Sequence, residues 1–356
     1  MRKSIQSAKS LHIIFALKTG GGENLIINFL ENGDEVISLT SNSILEKYQL
    51  KKIPFRIKSK QNYYGIFEYL LSVPSLFFLF LHLNTLKRNY KLVFHGFPFQ
   101  FCGFLFRYIS HKRKITIVYH QYKKAPKTLI GHISILLERF FLNISPKIKL
   151  VGVSPWVTDF VKLYFSKSKK VFLLNIPLNL KINNEFSLKH QNYREFLIYG
   201  ARLVETKGQM RFLAEIEKMN ITSPKIKNII FCGSGPLKNK IRNFSELSLK
   251  QFNIIILENL DREDYLALVK RSSGFIFPSF REAFPLSLLE GIFLSKNIFI
   301  WEEYLYNFFK ECSYSNKYLK EFIEKGKLKP LNNKNKRIDE LKEIHLKSNN
   351  FIYSLK

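Results

Sequence analysis

Short apolar runs recur along the chain, each closed by a small or polar residue and followed by apolar positions at helical spacing. In the first half, Leu11–Leu17, Glu35–Leu39, Lys91–Phe94, Lys114–Tyr119, Lys149–Val153 and Val171–Leu174 read as strands. In the second, Phe196–Tyr199, Ile226–Phe231, Ile254–Leu257, Phe275–Phe277 and Asn297–Trp301 do the same. Leu25, Ile26, Phe29 and Leu30, residues 129–142, Met210–Ile216 and Arg262–Lys270 carry helical periodicity. Ser154-Pro155 offers a helix N-cap followed by a first-position Pro. Repeated strand-then-helix spacing predicts parallel sheets with crossover helices. Residues 181–194 are polar and aperiodic, and the alternation restarts after them. The expectation is two Rossmann-like domains facing a cleft, spanning 1–183 and 192–330, with a Lys-rich tail of uncertain order over 331–356.

Ligands of open parallel sheets bind beyond the carboxyl ends of the strands, and the chemistry-bearing residues lie there. After Phe275–Phe277 come Pro278-Ser279, a polar loop with Glu282, and Pro285 where a helix is expected to begin, which puts Glu290 near its second turn. A helix N-terminus exposes free N–H groups and a positive dipole end, which suits a phosphate. A carboxylate deeper in suits a sugar diol. After Phe196–Tyr199 comes GARLVETKG, with Arg202 and Lys207 on the loop. A guanidinium fork and an ammonium placed together stabilise charge on a leaving phosphate.

These segments resemble those of the family-4 retaining glycosyltransferases of the GT-B fold. The first is the E-x7-E signature, here Glu282 to Glu290 around FPLSLL; the second is the family's G-R-L-x-x-x-K-G, with Ala201 inserted. The resemblance implies that Arg202 and Lys207 contact the donor diphosphate, that Glu290 binds ribose hydroxyls, and that Glu282 lies by the donor sugar. It implies that backbone N–H groups from Ala283 through Phe284 to Leu286 reach sugar hydroxyls or phosphate. CGSGPL at 232–237 is similar to the family's G-x-G-P-L turn near the nucleotide, placing Gly233 there, although a tight strand-to-helix turn explains it equally well. The Gly-rich loop after the first strand puts Gly21 and Gly22 against the donor phosphate. His120 matches a strand-end His that reaches the donor sugar or its reaction centre, His95 a less constant second position, and Asn175 an Asn-x-Pro near the hinge. The family needs no metal and no cofactor beyond its nucleotide-sugar co-substrate. The acceptor hydroxyl attacks from the leaving-group face, and the departing phosphate takes its proton. The pattern departs from the family at Ala283, at Glu290-Gly291 where Glu-Ala is usual, and at Ser295-Lys296-Asn297 where Gly-Lys-Pro is usual. Beyond Trp301 the resemblance fades.

Composition adds a membrane question. The formal net charge is +29, from 57 Lys and Arg against 28 Asp and Glu. A Lys-, Asn- and Ile-rich background, attraction to anionic lipid headgroups and nucleic acid binding all fit such a balance. Lys exceeds Arg and no nucleic-acid module is recognisable, which disfavours the third. Residues 65–83 approach transmembrane length but contain Glu68, Pro74 and His82, so they read as a buried or membrane-facing helix broken near Pro74. No secretory signal is apparent. Three widely spaced cysteines, Cys102, Cys232 and Cys312, give neither a zinc pattern nor a disulfide framework and fit a reducing cytosol.

The expected function is therefore retaining transfer of a sugar from a nucleotide-sugar to a glycan or lipid-linked acceptor in bacterial surface polysaccharide synthesis. The expected place is the cytoplasm, at the inner face of the membrane if the basic surface seats it there. Two other readings stay open. A glycosidase also uses two carboxylates but needs no diphosphate clamp. A non-catalytic basic protein on the same fold would bind membrane or nucleic acid.

Overall fold

The computed structural model describes residues 10–14, 34–38, 79, 81, 83, 91–95, 115–120, 132, 136, 139–140, 148–165, 171–173, 178, 180–182, 193–280, 282 and 284–346. The chain divides into two compact units, Met1–Pro177 with Asn349–Lys356, and Leu178–Ser348.

The first unit holds a sheet of six parallel strands, β1 (Ser10–Ile14), β2 (Glu35–Ser38), β3 (Lys91–His95), β4 (Ile115–Tyr119), β5 (Ile148–Gly152) and β6 (Val171–Leu173), in the order β2-β1-β3-β4-β5-β6. Its strands are nearly continuous apolar runs, the pattern of a parallel sheet buried on both faces. Leu11, Ile13, Val36, Ile37, Leu92, Phe94, Ile117 and Leu150 are fully buried. Helix α1 (Pro155–Phe165) follows β5. Ser154 caps it as expected, its Oγ accepting from the Val157 N–H at 3.3 Å. Of the apolar segment at 65–83, only Leu79, Leu81 and Leu83 are described; they are helical, with Leu79 and Leu83 buried and Leu81 exposed. Among the described residues no helix is long and apolar enough to cross a membrane.

The second unit also has six parallel strands, β7 (Phe196–Gly200), β8 (Asn228–Cys232), β9 (Asn253–Leu257), β10 (Gly274–Phe277), β11 (Ile298–Ile300) and β12 (Tyr314–Ser315), in the order β12-β11-β10-β7-β8-β9. Helices α2 (Gln209–Lys218), α3 (Lys238–Ser248), α4 (Arg262–Arg271) and α5 (Leu286–Leu294) alternate with them. Counted from β7, the order is 3-2-1-4-5-6 from β9 to β12, that of a doubly wound nucleotide-binding sheet. The chain winds outward from β7 to β9, then returns to the other side of β7 with β10. Tyr199 packs edge-on against Phe275 and Phe277 at this reversal, with ring centroids 6.3 and 5.8 Å apart.

Two expectations need correction. Strand β8 starts at Asn228 rather than Ile226, because the Ile226 N–H turns to the Ile323 carbonyl at 3.2 Å. Pro285 precedes the first turn of α5 instead of opening it; with φ −85° and ψ 78° it is not yet helical, though its carbonyl accepts from Leu289 at 3.1 Å. The region after Trp301 has regular structure: α6 (Glu303–Phe309), β12, α7 (Leu319–Lys325) and α8 (Lys334–Leu346). Leu341 anchors α8, at 1% exposure, within the stretch expected to be of uncertain order.

Candidate nucleotide-sugar site

In a doubly wound sheet the ligand crevice lies at the carboxyl ends of the two strands where the order reverses, here β7 and β10. The loop after β7 is bracketed by the turn after β8. Ala201 N–H donates to the Cys232 carbonyl at 3.0 Å, Leu203 N–H to the Ser234 carbonyl at 2.9 Å, and Leu237 N–H to the Leu203 carbonyl at 3.1 Å. Gly233 makes this bracket possible: a Cβ there would stand 2.2 Å from the Ala201 carbonyl oxygen. Gly233 thus supports the loop that carries Arg202. The Arg202 carbonyl is held in turn by Gln209 Nε2 at 2.9 Å.

A 3-10 turn, Glu205–Lys207, ends at Gly208 in the left-handed region, φ 74°. That conformation reverses the chain into α2 and brings Thr206 and Lys207 against the loop after β10. The Thr206 carbonyl accepts from the Phe280 N–H at 3.2 Å and the Ser279 hydroxyl at 3.3 Å. Lys207 Nζ donates to Glu282 Oε1 at 2.5 Å, and the Ser279 hydroxyl donates to the same oxygen. The Glu282 N–H is fixed by the Tyr304 hydroxyl of α6 at 3.1 Å. Lys207 and Glu282 thus meet across the strand reversal, although 75 residues separate them.

Glu290 lies one turn into α5 and is 3% exposed. Burial pushes its carboxyl above the ordinary range, and the Arg262 guanidinium, 2.8 Å from Oε1, opposes the shift. The Tyr265 hydroxyl is near Glu290, and the Tyr199 hydroxyl near Ser279 and Glu282. Both are buried, and neither meets a partner at full hydrogen-bond geometry. Such hydroxyls are costly unless a further group satisfies them. Each carboxylate is therefore held by a cation, Glu282 by Lys207 and Glu290 by Arg262, and each has an under-satisfied phenol beside it. This equipment suits a polyhydroxylated anion.

Of the predicted residues, Lys207 and Glu282 meet at these two strand ends, Arg202 lies on the loop after β7, and Glu290 lies one turn into the helix that follows the β10 loop. The Leu286 N–H is taken up by the Phe284 carbonyl at 3.1 Å. Ala283, Gly21, Gly22, Asn175 and Cys102 lie outside the described residues. Sequence reasoning missed Arg262, Tyr265, Tyr199, Ser279 and Tyr304. The available signal for the first two was their spacing of three at the start of a helix, which puts both on one face. In the first unit, His95 ends β3 and His120 follows β4, hydrogen-bonded to each other at 2.9 Å. Among the described residues no group of acidic, His or Cys side chains could hold a metal ion.

Comparison with solved structures supports the architecture. HepE of Anabaena, solved with UDP, is 12% identical with a TM-score of 0.72, over 97% of this chain and 98% of that one. The N-terminal domain of Candida albicans trehalose-6-phosphate phosphatase gives 12% and 0.70, over 97% and 95%. The lipopolysaccharide outer core galactosyltransferase WaaB, in its apo form, gives 12% and 0.60, over 98% and 99%. At such identity the likeness establishes the fold, an α/β GT-B architecture of two parallel sheets. No curated protein matches the sequence. The stretch that carries Arg202, Lys207, Glu282 and Glu290 is the one with a family assignment: residues 181–302 match the model of the glycosyl transferases group 1.

Proposed function

We propose that the protein is a retaining glycosyltransferase that moves a sugar from a nucleotide-sugar to a glycan or lipid-linked acceptor without a metal ion. The observation that carries this reading is the meeting of Lys207 and Glu282 at the β7–β10 reversal, with Arg202 on the same loop as Lys207 and Glu290 buried one turn into the adjoining helix. A diphosphate arriving there draws Lys207 partly from Glu282, leaving that carboxylate to accept from a sugar hydroxyl. Arg202 and Lys207 then stabilise the charge that grows on the phosphate as the glycosidic bond breaks. Glu290, oriented by Arg262, accepts from the ribose hydroxyls. Carboxylates held by cations, as Glu282 is by Lys207 and Glu290 by Arg262, suit hydroxyl recognition better than the proton-donating role that a glycosidase requires. His120 is assigned to the sugar by resemblance.

HepE binds UDP and UDP-glucose, so a uridine donor heads the list. WaaB acts in the lipopolysaccharide outer core, which favours a surface-polysaccharide acceptor. The charge of +29 would hold the enzyme peripherally at an anionic inner membrane face.

The test is a titration of wild type and Glu290→Ala with UDP, GDP, ADP and CMP in EDTA, followed by thermal stability. One nucleotide should stabilise the wild type by about 2.7 kcal/mol at a hundred times its Kd, and the variant should lose this response. A folded wild type that responds to none of the four overturns the reading.

A further inference from the structure

Helix α4 packs against α5 and β7 within the second unit. Leu266, Leu268 and Val269 of α4 are fully buried and fix it in place. Two side chains of its first turn, three residues apart and so on one face, reach Glu290. Arg262 stands 2.8 Å from Oε1, and the Tyr265 hydroxyl lies beside the same carboxylate. The two differ in freedom. The Arg262 side chain is 39% exposed and can shift towards solvent. Tyr265 is pinned, because its ring lies on the backbone of Gly200, the last residue of β7. A Cβ at 200 would stand 2.3 Å from Cε2 of that ring, and 2.4 Å from Cζ and from the hydroxyl oxygen. Only glycine leaves room there for the phenol, which is held between the strand end and Glu290.

The phenol is also incompletely used. Its oxygen is buried and meets no partner at full hydrogen-bond geometry. The other titratable or charged groups near it are Cys232 of β8, Tyr199 of β7 and Arg262. Cys232 is a buried thiol, which is a weak acceptor, and Arg262 has only donors. A buried hydroxyl in this state is costly unless a further group satisfies it.

We propose that Tyr265 reads one of the two ribose hydroxyls of the nucleotide, donating its O–H to the hydroxyl oxygen whose own proton goes to Glu290. A vicinal diol asks for such a set. Each hydroxyl has one proton to give and two lone pairs to receive. A carboxylate takes the protons and gives none back, so a donor must stand beside it. In the free protein the phenol leans on Glu290. With nucleotide bound it turns its proton to the diol, and the carboxylate lone pair it vacates accepts from the same hydroxyl. Glu290 is 3% exposed, so the ribose enters as the Arg262 side chain shifts towards solvent, while Tyr265 stays. The inference rests on the reading of Glu290 as the ribose carboxylate. It adds the residue that separates ribose from its deoxy forms, since a site built to bond a hydroxyl rejects the analogue that leaves its buried groups unpaired.

The test uses the full chain and whichever of UDP, GDP, ADP and CMP stabilises the wild type, with the 2′-deoxy and 3′-deoxy analogues of that nucleotide. The Kd of each is measured by calorimetry for wild type and Tyr265→Phe. Loss of the hydroxyl that Tyr265 reads should weaken wild-type binding about 100-fold. Tyr265→Phe should weaken the parent nucleotide about tenfold, and the analogue lacking the other hydroxyl equally. It should leave unchanged the affinity for the analogue lacking the hydroxyl it reads. Phenylalanine keeps the ring over Gly200 and removes only the under-satisfied oxygen, so the free variant should melt at or above the wild-type temperature. A hydroxyl with a merely structural role would do the reverse, lowering the melting temperature and sparing affinity. Equal weakening of all three ligands, or of none, overturns the inference and leaves the transferase reading in place. A folded wild type that binds none of the four nucleotides overturns the transferase reading and this inference with it.

Discussion

Gly291 directly follows Glu290 inside α5, where alanine would ordinarily be favoured by about 1 kcal/mol. The structure predicts the opposite sign. A Cβ at 291 would stand 2.5, 2.6 and 3.0 Å from Cδ1, Cγ and Cε1 of Phe275, whereas carbon contacts begin near 3.5 Å. Helix and strand would have to part by about 1 Å. The Phe275 ring cannot yield easily, being fully buried and braced by Tyr199. Overpacking of this kind costs about 1–3 kcal/mol. With the upper end offset by helix propensity, Gly291→Ala should destabilise the second unit by about 2 kcal/mol. In a Phe275→Ala background, which removes Cγ, Cδ1 and Cε1, the obstruction is gone, and the same change should stabilise by about 1 kcal/mol. The cycle thus predicts a coupling of about 3 kcal/mol. Urea unfolding read by Trp301 in a Trp156→Phe background isolates the second unit, because the chain's two tryptophans fall one in each unit. A stabilising Gly291→Ala with Phe275 in place would refute the packing argument. The same variant should weaken nucleotide binding, since a displaced α5 carries Glu290 with it.

Gly208→Ala should do more damage at the site than in the fold. Its left-handed φ costs an alanine about 1–2 kcal/mol, and its Cβ would stand 2.2 Å from the Pro278 carbonyl oxygen, pushing apart the segments that carry Lys207 and Glu282. Nucleotide affinity should drop at least tenfold by thermal-shift titration; wild-type affinity would show that the Gly208 crossing does not set the pair. Acid should destabilise the first unit through His120. Unfolded, this side chain takes up its proton through its ordinary value of 6.5, and folded only near 4. The folded state binds fewer protons, so this contribution is present above 6.5 and lost as pH falls to 4, by about 3 kcal/mol. His120→Gln should remove one proton from the slope of stability against pH in that window, measured by urea unfolding; unchanged slopes would contradict the burial of the ring.

Much of the second unit was legible because its information is local. Fully buried parallel strands must be apolar throughout, so Phe275–Phe277 and Phe196–Tyr199 announce themselves. Loops at strand ends carry polar residues at short spacing, so Arg202, Lys207, Glu282 and Glu290 could be singled out. Boundaries were less legible: the Ile226 N–H leaves its strand for a carbonyl near residue 323 that no local pattern reveals. Helix α8 was not legible because it is largely polar and is held by a few buried side chains such as Leu341.

The sequence by itself determined the alternation of strands and helices and the residue types at the strand ends, because both depend on neighbours a few positions away. Only the tertiary structure decided which of those residues meet. The strand order placed β7 beside β10 and so joined Lys207 to Glu282. Helix α4 supplied Arg262 to a carboxylate that burial would otherwise penalise. The register of three parallel strands lined up His12, His95 and His120 behind Asp34. A slip of one residue would turn each of these side chains to the opposite face, and register is a property of the assembled sheet rather than of any segment within it.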